Sequence, residues 1–213
     1  EIYSGNTFRS FPILGLRINT PFKLNKNILN FTYIPSLSLI ISPGKSNSEK
    51  ISNEDSSVNS YTIENNSFLN RFTGTDKLDN SKRINLNFEL NNSNFSANFL
   101  QSYEFTKNSN FHYSQGNERN LSDFLGGLSL KEKNYSSAYN FRYDSHEGYV
   151  KSQNLDLNYE NSLGKYKFSY LDQNSKTDET IITENETLNY RIDSKKINKF
   201  SKISYFGLYD LNQ

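Results

Sequence analysis

The sequence predicts an all-β protein, an antiparallel up-and-down transmembrane β-barrel segment of about ten strands, with short turns on one side and long loops on the other. Three observations carry this reading. Apolar side chains recur at every second position through a series of runs of roughly 9–13 residues, a length that crosses a bilayer at a tilt. The connections alternate shorter and longer along the series, which puts the long ones on one side of the sheet. No stretch shows the start and stop signals of a helix.

The bulk composition is unusual for a soluble domain. Hydrophobic residues are 34% of the 213, yet aromatics reach 15%, and Asn and Ser alone supply 62 residues. Low hydrophobicity with abundant Asn and Ser can signal disorder. Here the aromatics fall on alternate positions and the formal net charge is only +1, which favours strands. No window approaches the roughly 20 consecutive apolar residues of a membrane helix. A barrel strand shows lipid only every second residue, so low hydropathy does not exclude a membrane protein. Cysteine is absent, which removes disulfides and thiolate chemistry, and methionine is absent even at position 1. Residues 1–213 therefore read as part of one outer-membrane β-barrel domain, a processed or excised segment incomplete at both ends.

Residues 11–20 form the first expected strand, with Leu14, Leu16 and Ile18 opposite Arg17 and Asn19. Residues 21–27 make a short connection. Leu29, Phe31, Tyr33, Pro35, Leu37, Leu39 and Ile41 then share one face. Pro35 has no N–H for a ladder and marks a bulge, an edge or a weak point. Residues 42–82 are the longest connection, read as an extracellular loop; structureless connections of this length are functional or disordered.

The clearest hairpin follows. Ile84, Leu86, Phe88 and Leu90 alternate with Arg83, Asn85, Asn87 and Glu89. After Asn91-Asn92-Ser93-Asn94 the pattern resumes with Phe95, Ala97 and Phe99, then Tyr103 and Phe105. Residues 106–120 are a second long loop. Strand five carries Phe124, Leu128 and Leu130, and strand six carries Tyr135, Tyr139, Phe141 and Tyr143 against Asn140, Arg142 and Asp144. A connection near 145–152 leads to Leu155, Leu157 and Tyr159, and a turn at 161–164 to Tyr166, Phe168 and Tyr170. A medium loop spans 172–180. Leu188, Tyr190 and Ile192 define strand nine, and strand ten, near 197–211, has mixed faces.

The run Asn53-Glu54-Asp55-Ser56, followed by Phe68, Asn70-Arg71-Phe72, Gly74, Asp76 and Arg83, resembles the barrel-domain loop of the LptD family, the outer-membrane lipopolysaccharide-assembly or organic solvent tolerance proteins. The strand with Pro35 and the run Ser122-Asp123-Phe124-Leu125-Gly126 look similar to flanking segments of that family. Three positions depart from it: Lys77 stands for Arg, Ser81 for Gly, and Ser52 for a Pro. Lys keeps the charge of Arg but loses its bidentate fork.

The resemblance implies a large barrel preceded by a periplasmic domain, a periplasmic bridge that supplies lipopolysaccharide, a lipoprotein plug (LptE), and delivery of the lipid to the outer leaflet of the outer membrane. The alternatives are a porin-like diffusion channel, which shares every pattern except the loop motif, and a β-rich surface adhesin.

No enzymatic site and no cofactor are expected. Asp144, Ser145 and His146 are adjacent and point in different directions, so they form no nucleophile–base chain among themselves. His112 lies in a polar loop. Glu54, Asp55, Asp76 and Asp79 offer hard oxygens but lack the spacing of a calcium loop, so no metal site is assigned. Nucleic acid is not an expected partner, since there is no excess of positive charge.

Two residue sets remain. Arg71, Phe72, Gly74, Asp76, Asp79 and Arg83 form an expected loop lid, with Phe68, Leu69 and Phe72 packed on the rim and Arg71 paired with Asp76 or Asp79. Asn85, Asn87, Glu89, Asn140, Arg142 and Asn158 form an expected lumen lining. There, amides that both donate and accept suit sugar hydroxyls, as they suit any water-filled barrel.

Overall fold

A computed structural model describes residues 9–26, 29–43, 53–56, 62–106, 120–177, 180–195 and 201–212. Expectations for Ser52, His112, most of loop 106–120 and residues 196–200 lie outside the described residues. Among these there are eleven strands and one short helix: β1 (Leu14–Asn19), β2 (Phe22–Lys26), β3 (Leu29–Ile41), α1 (Ile63–Asn66), β4 (Lys82–Asn91), β5 (Phe95–Glu104), β6 (Phe124–Lys131), β7 (Tyr135–Asp144), β8 (Tyr149–Glu160), β9 (Gly164–Thr177), β10 (Thr180–Ser194) and β11 (Ser204–Asp210). They join in one antiparallel sheet of hydrogen-bonded order β1-β3-β4-β5-β6-β7-β8-β9-β10-β11, with β2 also paired to β3. The up-and-down topology is as the alternation predicted. The sheet is open, its order ending at β1 and β11.

The expected connection at 21–27 is instead β2. β1 and β2 both pair with β3, and Leu14↔Ile41 and Phe22↔Tyr33 belong to one continuous register. Together they are one strand interrupted at Thr20 and Pro21, opposite Pro35 and Ile34. Two prolines in adjacent rows, one on each strand, leave two positions without a donor, which is where the ladder breaks. The break falls on the partner; β3 itself runs through Pro35.

Two other connections are shorter than expected. β8 begins at Tyr149, leaving a four-residue turn closed by Gly148 N–H donating to the Asp144 carbonyl at 2.9 Å. β9 and β10 extend to Thr177 and Thr180 and pair there directly. The alternation of short and long connections therefore holds for the first half of the chain and stops after β6.

The chain divides into two compact units, Glu1–Thr20 with Ile34–Asn87 and Leu100–Asp123, and Pro21–Tyr33 with Phe88–Phe99 and Phe124–Gln213. In the second, the apolar face carries a cross-strand series of aromatic pairs. Phe22–Tyr33, Tyr33–Phe88, Phe99–Phe124, Phe124–Phe141 and Tyr159–Tyr166 have ring centroids 5.9–6.5 Å apart. Each such pair contributes about 0.5–1.5 kcal/mol beyond its area. Gly126 lets the Phe141 ring lie across its backbone, where any Cβ would collide with it.

Strand β4 is inverted relative to a strand of a water-soluble domain. In β4 the polar residues Arg83, Asn85 and Asn87 are 0%, 3% and 9% exposed, while Leu86 and Phe88 are 46% and 41% exposed. The polar face is the covered one. What covers it is the long loop.

Candidate functional site

Residues 62–83 fold back over the polar face of β4 and β5. The helix α1 brings Asn66 over β4, where the Asn85 amide donates to the Asn66 carbonyl at 2.9 Å. The chain then passes Phe68 and Leu69 to Arg71, which is 2% exposed. Its Nε donates to Asp79 Oδ2 at 2.6 Å and its Nη2 to Glu104 Oε1 at 2.5 Å. Arg83 Nη1 reaches the same Asp79 oxygen at 2.9 Å, and its Nη2 donates to the Phe68 carbonyl. The Ser81 hydroxyl donates to Glu104 at 2.8 Å, and Ser81 N–H donates to Ser42 Oγ at 2.6 Å.

Two arginines and two carboxylates thus form an electrically balanced cluster, every side chain 3% exposed or less. Burial disfavours the Arg71 charge, but the Asp79 and Glu104 carboxylates outweigh it and raise its pKa above the ordinary arginine value. A cluster of this kind is strongly destabilised when one member is lost, because the others stay buried without compensation.

A second contact clasps the two halves of the loop motif. Asp55 accepts the N–H groups of Thr75 and Asp76 at 3.0 and 3.1 Å and the Thr75 hydroxyl at 3.1 Å. In return, Asp76 Oδ2 accepts the N–H groups of Glu54 and Asp55 at 2.7 and 2.9 Å. Lys77 N–H donates to Ser56 Oγ at 3.0 Å, and Ser56 N–H to Asn53 Oδ1 at 3.1 Å. Gly74 turns the chain at φ 74°, beside Asp55, where a Cβ would strike the Asp55 carboxylate and carbonyl. Arg9 donates to the carbonyls of Asp76 and Thr75.

The loop set is therefore assembled around two centres. Arg71, Asp79 and Arg83 meet in the buried cluster, while Gly74 and Asp76 belong to the exposed clasp with Asp55. Arg71 pairs with Asp79, not Asp76. Phe72 is 5% exposed, but Phe68 and Leu69 are 52% and 47% exposed; Leu69 nevertheless lies over Gly15 of β1, in the space a Cβ would take. Lys77 joins through its backbone, so the exchange of Arg for Lys leaves the clasp intact. Ser81, where the resemblance expects Gly, supplies a hydroxyl that a glycine lacks.

Glu104 was invisible to sequence reasoning. It lies 33 residues beyond Arg71 on a strand whose other face carries the pattern. Its one signal was a carboxylate on the polar face of an otherwise uncharged strand.

Of the lumen set, Asn85 and Asn87 lie beneath the loop, Glu89 and Arg142 are half-buried, and Asn140 and Asn158 are exposed. Ser122 and Asp123 are each 2% exposed, and Ser102 N–H donates to Ser122 Oγ at 2.9 Å. Asp144 accepts the backbone N–H groups of His146 and Glu147 at 2.8 and 2.9 Å and pairs with Lys151 at 2.7 Å. That arrangement closes a turn. The oxygens of Asp55, Asp76 and Asp79 considered as metal ligands are engaged by N–H donors. No helix is long and apolar enough to cross a membrane among the described residues, which says nothing of strands.

The backbone donors of Thr75 and Asp76 lower the Asp55 pKa from 3.8 to about 2. A carboxylate with a lowered folded-state pKa stabilises above its unfolded value and loses that contribution as pH falls through the folded one. The clasp should be intact above pH 4 and open between about pH 4 and 2. Hydrogen exchange at the Thr75 and Asp76 amides should accelerate across that window, and Asp55→Asn should flatten the response. Protection that stays constant down to pH 2 would show that Asp55 does not hold the clasp.

The family model described as LptD, LPS transport system D, matches residues 3–209. No curated protein matches the chain.

Proposed function

The chain belongs to the LptD family of lipopolysaccharide transport proteins, and from that premise we propose that it forms part of an outer-membrane barrel wall that delivers lipopolysaccharide to the outer leaflet. The inverted burial of β4 carries this reading. Leu86, Phe88 and the aromatic series face hydrocarbon, and the polar face turns to a hydrated lumen, which is the alternation a barrel strand needs. A soluble adhesin would bury Leu86 and Phe88 in place of Arg83 and Asn85.

The long loop lies at the outer mouth and folds inward as a lid. Its cluster holds it on the lumen wall, so lipid leaves sideways through the wall. A porin-like channel for straight diffusion has no need of such a closure. The role is non-enzymatic. A periplasmic bridge and an LptE-like lipoprotein plug are the partners, and lipopolysaccharide and outer-membrane lipid the ligands.

Depleting the protein in cells should trap newly made lipopolysaccharide short of the surface. In the same cells, a cysteine at Asn158 should react with a water-soluble maleimide while one at Leu157 reacts only with a lipid-soluble reagent. Continued surface delivery would overturn the transport role, and equal labelling at both positions would overturn the face assignment.

A further inference from the structure

We propose that β8, β9 and β10 pinch the bilayer: beside them the hydrocarbon layer is about 10 Å shallower than the one β7 spans. This rests on the reading of the aromatic face as the lipid-facing one, and adds to it a local shape of the membrane.

Residues directly opposite across a ladder share a face, so the register carries the lipid-facing set from strand to strand. On β7 it is Tyr135, Ser137, Tyr139, Phe141 and Tyr143, five positions without a charge. At a rise of about 3.4 Å per residue and a tilt of about 40°, five alternate positions cover about 26 Å of height, matching the usual apolar band of about 25 Å. Opposite them on β8 stand Tyr159, Leu157 and Leu155, and the next position is Gln153. On β9 the set is Tyr166, Phe168 and Tyr170, then Asp172. On β10 it is Ile192, Tyr190 and Leu188, then Glu186. Three positions cover only about 16 Å by the same measure. Towards the turns, Gly164 and Ser194 face each other next on β9 and β10 and add no large apolar surface. On β11 the run lengthens again, with Ile203, Tyr205, Gly207, Tyr209 and Leu211 alternating without a charge. The deficit is confined to three neighbouring strands.

The polar edge of the short band is a bonded row. Gln153, Asp172 and Glu186 lie opposite one another in sequence across β8, β9 and β10. The Gln153 amide donates to Asp172 Oδ2 at 2.8 Å, and the Asn174 amide to the same oxygen at 3.1 Å. The Tyr139 and Tyr170 hydroxyls reach into the row from the apolar side, donating to Gln153 Oε1 and Glu186 Oε1 at 2.9 Å each. A tyrosine with its ring in hydrocarbon and its hydroxyl in a polar layer marks an interface. Asp172 and Glu186 are directly opposite, and among the described residues no cation pairs with either. Two carboxylates in one row fix the edge there. Thinning the bilayer costs little per ångström beside drawing such a row into hydrocarbon.

The test uses the full protein in dioleoyl phosphatidylcholine vesicles, with a nitroxide on Tyr139→Cys or on Phe168→Cys, the middle positions of the five and of the three. Depth is read from collision rates with oxygen and with a water-soluble nickel complex. Both labels should report hydrocarbon, the one at Phe168 shallower by about 5 Å, half of the deficit. In dilauroyl vesicles, whose hydrocarbon is thinner, the difference should shrink. Gln153→Leu, Asp172→Leu and Glu186→Leu combined should carry the label at Phe168 deeper, and the two-label comparison stands whether or not that variant assembles.

Equal depths in dioleoyl vesicles would overturn the pinch and leave the lipid-facing reading standing. A label at Phe168 shielded from oxygen and nickel alike would put protein in place of lipid against β9, and would overturn it too. Labels at both positions that meet nickel more often than oxygen would overturn the lipid-facing reading, and the pinch with it.

Discussion

Replacing Asp79 with Ala should release the loop from the sheet at a cost of about 3–5 kcal/mol, the range for breaking a buried ion pair by removing one partner. Asp79 is 0% exposed and serves Arg71 and Arg83 together. Without it, two buried cations share Glu104 alone. Their escape is to solvent, which requires residues 68–83 to lift. Hydrogen exchange and protease cleavage in that segment should rise sharply, and melting should become less cooperative.

Asp76→Asn makes the matched control. Asp76 sits in the exposed clasp, where the effect of losing a charge is much smaller. Protection of the loop that survives Asp79→Ala would refute the cluster as its anchor.

Deleting residues 57–80 should admit large antibiotics through an otherwise assembled barrel, a change of permeability far greater than any single substitution brings. The deletion removes one cation and one anion of the cluster, Arg71 and Asp79, and leaves Arg83 and Glu104. Charge balance on the wall is preserved, so the strands have no electrostatic reason to misassemble. The loop's cover over Asn85 and Asn87 is lost. Heat-modifiable mobility on gels checks that the barrel has formed, and sensitivity to a large glycopeptide antibiotic reads the opening. A formed barrel with unaltered sensitivity would sink the lid.

The strands were legible because alternation is a local property. Leu86 and Phe88 against Asn85 and Asn87 located β4, and Asn91-Asn92-Ser93-Asn94 located its turn, where Asn92 Oδ1 accepts the N–H groups of Asn94 and Phe95 at 2.8 and 2.6 Å. Where the local signal lapses, the sequence misleads. Pro21 read as a connection because its proline is the same in a loop and in a broken strand; only the register with Pro35 tells them apart. Residues 172–180 read as a loop because Asn174, Ser175 and Lys176 show no apolar face, yet they pair with β10.

The site was half visible. Its motif residues were picked out, but alternation carries no information on which loop atom meets which wall atom. Arg71 could be assigned an acid close in sequence and not the distant Glu104. The reciprocal grip of Asp55 and Asp76 was equally hidden, since it rests on backbone N–H groups that every residue has.

The strand order has a bearing on how the molecule is made. From β3 onward each strand is hydrogen-bonded to its successor in the chain, so the sheet can grow strand by strand, with the loop entropy to overcome concentrated at the β3–β4 and β5–β6 connections. The ion cluster stands outside that schedule. Arg71 is synthesised before β4, but Glu104 is the last residue of β5, and the cluster is incomplete until that strand has docked. Without β5, Arg71 and Arg83 share Asp79 alone. Charge balance in the cluster is reached only with β5, so the strand that carries Glu104 closes it.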